Sequence, residues 1–113
     1  MKKSFSFAFI VFLALAGSVS AQDAPTITIV NKTGYTVRYI YVRQTASDSW
    51  GGNVLGTPVL NTGYEVLVIL PYPLDVATHY DIKLVDSDGD SYTKVDVLVT
   101  QNSGIVFIID DID

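Results

Sequence analysis

Between residues 26 and 109 every apolar run is short, rich in Val, Ile and Tyr, and ended by Gly, Pro, Asn or Asp. No segment there carries a helical period. Such a chain cannot pack as a helix bundle; it must bury its apolar side chains between sheets. Residues 26–31 (TITIVN) alternate Thr with Ile, which suits a strand with one buried face. After a Lys32-Thr33-Gly34 turn, residues 35–43 set Val37, Tyr39 and Tyr41 on one side and Ile40 and Val42 on the other. That two-sided pattern predicts a strand inside a sheet, covered on both faces.

Residues 44–56 (QTASDSWGGNVLG) break every period and read as a long connection with one helical turn after Ser47. A short edge segment at 57–60 leads through Asn61-Thr62-Gly63 to a strand at 64–70 (YEVLVIL). Pro71 and Pro73 lack the N–H a central ladder needs, so residues 71–78 form a second loop. Residues 79–85 and 91–100 pair across Asp86-Ser87-Asp88-Gly89-Asp90. There Val95, Val97 and Val99, alternating with Lys94, Asp96 and Leu98, give the clearest period of two. A turn at 101–104 opens the last strand, 105–109, and residues 110–113 read as a solvated acidic tail. The expected fold is all-β: a single antiparallel β-sandwich of six to seven strands, with a small barrel as the alternative. The paired Cys around a buried Trp that mark an immunoglobulin domain are absent.

The start of the chain reads as an address. Lys2 and Lys3 precede thirteen uncharged residues, 5–17, and Val19-Ser20-Ala21 places small residues at a cleavage site. This is the signal-peptide pattern, with a bacterial look. The apolar stretch spans only about 20 Å, short of the ~30 Å hydrocarbon core, so no stable membrane anchor is expected after cleavage. The expected division is a signal peptide, 1–21, and one β-sandwich domain, 22–113, in a secreted or periplasmic protein.

Removing the leader leaves 92 of the 113 residues, with five basic and all twelve acidic side chains, a net charge of −7. Such an acidic surface argues against nucleic acid as a partner, because phosphates are held by clustered Lys and Arg. With no Cys, the chain has no disulfide, thiol nucleophile or Cys-ligated metal, and its core must hold it together alone.

Three segments recur together in a known order: Asn31-Lys32-Thr33-Gly34, Ser47-Asp48-Ser49-Trp50-Gly51-Gly52-Asn53-Val54-Leu55, and Tyr80-Asp81 followed by Asp86-Ser87-Asp88-Gly89-Asp90. In this the chain resembles a group of small exported bacterial β-sandwich modules of unknown function. The Trp-Gly-x-Asn-x-Leu segment is the most specific part of the likeness, which covers nearly all of 22–113. Some such modules carry a Cys on either side of the last hairpin, and this chain has neither. The resemblance implies the fold and brings no catalytic or ligand residues.

Asp86, Asp88 and Asp90 could offer hard oxygen ligands to calcium, yet Gly89 falls between the second and third Asp and no Glu follows at position 95. The plainer reading is a hairpin turn held by side-chain-to-backbone hydrogen bonds. Trp50 either stacks on a partner or plugs one end of the sandwich, and the plug is the expectation. Asn53 and Asp48 would then serve as turn and cap residues. Tyr72, between two prolines, is the tyrosine expected on an exposed loop, where it could meet a partner. His79 stands beside Asp81 without a nucleophile or a metal motif, so no catalytic residue is expected and the chain is read as no enzyme. The functional expectation is a non-enzymatic binding or structural module of the bacterial envelope. It has no required cofactor, and its partner is a protein or a glycan. The alternative is a calcium-dependent or carbohydrate-binding module.

Overall fold

The computed structural model describes residues 24–113; the expected signal peptide lies outside them. Six strands follow: β1 (Thr26–Lys32), β2 (Val37–Gln44), β3 (Glu65–Ile69), β4 (His79–Asp86), β5 (Ser91–Leu98) and β6 (Ser103–Ile108). They form two three-stranded sheets, ordered β3-β1-β6 and β2-β4-β5. The sheets pack face to face on Ile27, Ile29, Val68, Ile105 and Phe107 from the first, and Ile40, Tyr80, Ile82, Leu84 and Tyr92 from the second. The described residues are therefore all-β, with their core between the sheets.

The alternation of residues 26–31 is realised in β1, where Ile27 and Ile29 are fully buried. One ladder departs from the antiparallel expectation: β1 and β6 run parallel, from Ile27 opposite Ser103 to Lys32 opposite Ile108. The turn after β5 carries the chain across to the other sheet, so β6 meets β1 without a hairpin to dictate its direction.

Two bulges redirect side chains against the simple period. On β2 an extra residue, Arg38, stands between Val37 and Tyr39, and the ladder to β4 shifts there. Val37 consequently joins Ile40 and Val42 in the core, while Tyr39 faces out. On β5, Val95 and Asp96 together oppose Asp81. The clearest period of two in the sequence is thus broken in its middle: Val95 and Leu98 are exposed and Val99 is buried. Asp96 takes a positive φ of 55° at this point, a conformation Asp tolerates better than most residues.

β2 is an edge strand rather than an interior one. Its free edge is covered by the connection that follows: Val54 N–H donates to Ile40 O, and Asn53 Oδ1 accepts Ile40 N–H, at 2.8 and 2.9 Å. Asn53 thereby acts as a substitute strand residue, which protects the edge from outside pairing. The helical turn expected after Ser47 is absent. Ser47 Oγ accepts Ser49 N–H and Ser49 Oγ accepts Gly51 N–H, so hydroxyls replace helical bonds along the loop.

Residues 110–113 stay largely exposed, as expected, but are tied to β5 rather than free. After a 3-10 turn at Ile109–Asp111, Ile112 bridges to Tyr92 on the edge of β5. Asp113 accepts from Ser91 and Thr93 hydroxyls, and Lys94 pairs with Asp111 at 3.1 Å. A matching bridge, Val37 to Leu60, ties the opposite edge of that sheet to the segment leading into β3.

Candidate functional site

Asn31 organises the turn between β1 and β2. Fully buried, it donates from Nδ2 to the carbonyls of Tyr35 and Leu60, both at 2.8 Å, and accepts from Thr33 N–H and Oγ1. All of its hydrogen-bonding capacity is spent inside the fold, as a buried amide requires.

The acidic hairpin is similarly self-contained. Asp86 is 2% exposed; its Oδ1 accepts Asp88 and Asp90 N–H at 2.9 and 3.0 Å, and its Oδ2 accepts the Tyr92 hydroxyl at 2.8 Å. Gly89 takes the positive φ (88°) that closes the turn. Burial, then the Asp86 carboxylate, push the Tyr92 hydroxyl up to about 12. Carboxylate oxygens of Asp86, Asp88 and Asp90 lie within 4.8 Å of one another, with Asp88 and Asp90 exposed. Asp86 Oδ1 thus holds the turn, and Oδ2 ties it to Tyr92 of β5.

The outer face of the β2-β4-β5 sheet is where unlike groups converge. Tyr41 and Arg43 of β2 stand opposite Lys83 and Asp81 of β4. Arg43 Nε donates to Asp81 Oδ2 at 2.9 Å, while Thr45 Oγ1 and Asp96 N–H both reach Asp81 Oδ1. Burial alone would raise the Asp81 carboxyl. The Asp96 amide, Arg43 and Thr45 outweigh it and hold the group below its ordinary value. Asp81 accepts nothing from His79, whose ring instead meets the Thr78 hydroxyl.

Over this layer lies Trp50. Its ring centroid is 4.1 Å from Arg43 Cζ and 4.8 Å from Lys83 Nζ, and Lys83 also lies 5.4 Å from the Tyr41 ring. Tyr41 in turn stacks with Tyr39 at 6.3 Å. The expected end plug is thereby corrected: Trp50 is half-buried on the outside of one sheet, absent from the core between the two. Two cations from neighbouring strands draw it there, each such contact contributing about 0.5–2 kcal/mol according to burial.

Trp50 and Tyr72 line a single groove of about 430 Å³ at the end of the molecule where β2 and β3 finish. Arg43, Gln44, Ser47 and Ser49 supply its polar wall. The two aromatic residues singled out from sequence are thus brought together. Arg43 and Gln44 were not foreseen, since their nearness to Trp50 depends on how residues 45–49 fold back. The only available signal was Arg43 following Tyr39 and Tyr41 at alternate positions. Nearby, Tyr80 is fully buried and its hydroxyl has no hydrogen-bond partner among the described residues. Burial raises its pKa.

No known protein-family model matches the chain, and no curated protein matches it in sequence. A solved protein of Eubacterium rectale, determined by NMR, has a similar fold, with a TM-score of 0.58 and 16% identity over 81% of this chain and 84% of that one. At that identity the likeness concerns the fold alone.

Proposed function

We propose that this chain is an exported, non-enzymatic β-sandwich module that binds a carbohydrate in the groove between Trp50 and Tyr72. The observation that carries the reading is that these two aromatics, from separate loops, share one groove with an amide, two hydroxyls and a guanidinium. Sugars present apolar ring faces edged by hydroxyls, and aromatic planes beside planar polar groups suit both. Trp50 is held in place before any ligand arrives by Arg43 and Lys83, which lowers the ordering cost of binding.

A sandwich is favoured over a barrel because the two ladders stay separate: no strand of one pairs with a strand of the other, and the isolated bridges reach only Leu60 and Ile112, outside the strands. Export, to periplasm or exterior, rests on the signal-peptide pattern. A binding rather than catalytic role is supported by Asp81, a residue 3% exposed whose carboxylate is engaged by Arg43, Thr45 and Asp96.

Trp50 is the one tryptophan of the chain, so its emission reports directly on the groove. The test is a glycan array followed by fluorescence titration of the wild type, Trp50→Ala and Tyr72→Ala. Binding that shifts the emission, is lost in Trp50→Ala and falls at least tenfold in Tyr72→Ala is expected. Binding indifferent to both substitutions overturns the reading.

A further inference from the structure

A second hollow of about 350 Å³ opens beside the first, lined by Thr45, Ala77, Thr78, His79 and Asp96 among others. Gln44 and Ala46 line both hollows. The two therefore adjoin along Gln44 and Ala46, at the end of β2. Each is of the size that ligand pockets generally have, about 300–1,000 Å³.

Resting on the carbohydrate reading, we infer that the ligand is a linear oligosaccharide long enough to fill both hollows. One part stacks on Trp50 and Tyr72, and the remainder is held by His79 and Asp96. The two halves differ in chemistry as such a ligand requires. The first offers aromatic planes, on which a sugar ring packs. The second offers an imidazole, a carboxylate and the Thr78 and Thr45 hydroxyls, which hydrogen-bond sugar hydroxyls.

The geometry at Asp96 supports the assignment. Its backbone is fixed by the buried Asp81 carboxylate, which accepts the Asp96 N–H at 2.9 Å. The bulge turns the residue to φ 55°, and its side chain stands exposed at the rim of the hollow. Bulges commonly re-aim a side chain next to a binding site. Thr45, whose hydroxyl also reaches Asp81, links the same carboxylate to the strip shared by both hollows.

The experiment is an array of linear oligosaccharides, each presented from one to eight units, probed with the full chain and with a His79→Ala, Asp96→Asn double variant. Asn tolerates the positive φ at position 96, so the variant keeps the bulge. Affinity is expected to climb at least tenfold from two to six units, and the double variant to flatten that dependence on length. Equal affinity for short and long chains, or an unflattened dependence in the variant, overturns the two-hollow inference and leaves the Trp50–Tyr72 groove standing. Failure of every saccharide on the array to bind overturns that groove's assignment as well.

Discussion

The buried carboxylate of Asp81 accepts the backbone N–H of Asp96 at 2.9 Å, across the bulge in β5. This one contact joins three features: the bulge itself, the Arg43 guanidinium bound to the other carboxylate oxygen, and Trp50 stacked on that guanidinium. Asp81→Ala leaves the Asp96 amide and the Thr45 hydroxyl without their acceptor and frees Arg43. Removing one partner of a largely buried pair is expected to cost about 3 kcal/mol, with Arg43, about a quarter exposed, keeping the loss at the lower end. Urea denaturation measures it, and a loss below about 1 kcal/mol would contradict the role given to Asp81.

Stability should fall at both ends of the pH scale, for different groups. The Asp81 carboxyl is held low despite its burial, and hydrogen bonds from Ser91 and then Thr93 hold Asp113 low as well. A lowered folded pKa means stability that is present above the ordinary value of 3.8 and lost as pH falls through the folded values. Tyr92 behaves oppositely: raised from 10.0 to about 12, it contributes stability that is complete below pH 10 and lost as pH rises towards 12. Two units correspond to about 2–3 kcal/mol in that window. Tyr80 is also raised, so Tyr92→Phe should shrink the alkaline loss without abolishing it. Denaturant midpoints at successive pH values would show this; a flat profile from pH 9 to 12 would sink it.

The acidic hairpin gives a prediction of the opposite kind, that an addition changes nothing. Asp86 directs one oxygen to two backbone amides and the other to the Tyr92 hydroxyl. A calcium ion would have to compete with those donors for six to eight oxygen ligands. Several millimolar calcium should therefore leave the melting temperature where it was. Asp86→Ala should lower stability by about 2 kcal/mol and Asp88→Asn hardly at all. A calcium-dependent rise of several degrees, removed by Asp88→Asn, would make the hairpin a metal site instead.

Much of the strand order could be read along the chain because β1, β4 and β6 keep their local period and end at turn residues. What escaped was set by partners distant in sequence. The period of residues 94–99 breaks because Asp81, on another strand, supplies an acceptor for an amide that the ladder would otherwise use. Val37 turns inward because Arg38 is the extra residue against β4. Asp111 and Asp113 read as free charge, and their partners Lys94, Ser91 and Thr93 come from β5, distant in sequence. Trp50 and Tyr72 were legible as aromatic loop residues; their shared groove was not, since loops after β2 and β3 meet only once the sheets have packed.

The position of Trp50 leads to a last prediction that separates anchoring from packing. If Arg43 and Lys83 hold the indole to the sheet, Lys83→Ala should loosen it while leaving the core intact, because Lys83 lies on the outer face. The expected stability loss is about 0.5–1 kcal/mol, with little change in the cooperativity of unfolding. Quenching should be measured with acrylamide rather than iodide. Iodide gathers near Arg43 and Lys83, so removing a cation would lower its local concentration and mask the greater exposure. Acrylamide quenching should rise in Lys83→Ala and rise further when Arg43→Gln is added. Quenching unchanged in both would mean that the loop, through its Ser47 and Ser49 hydrogen bonds, positions Trp50 without the cations.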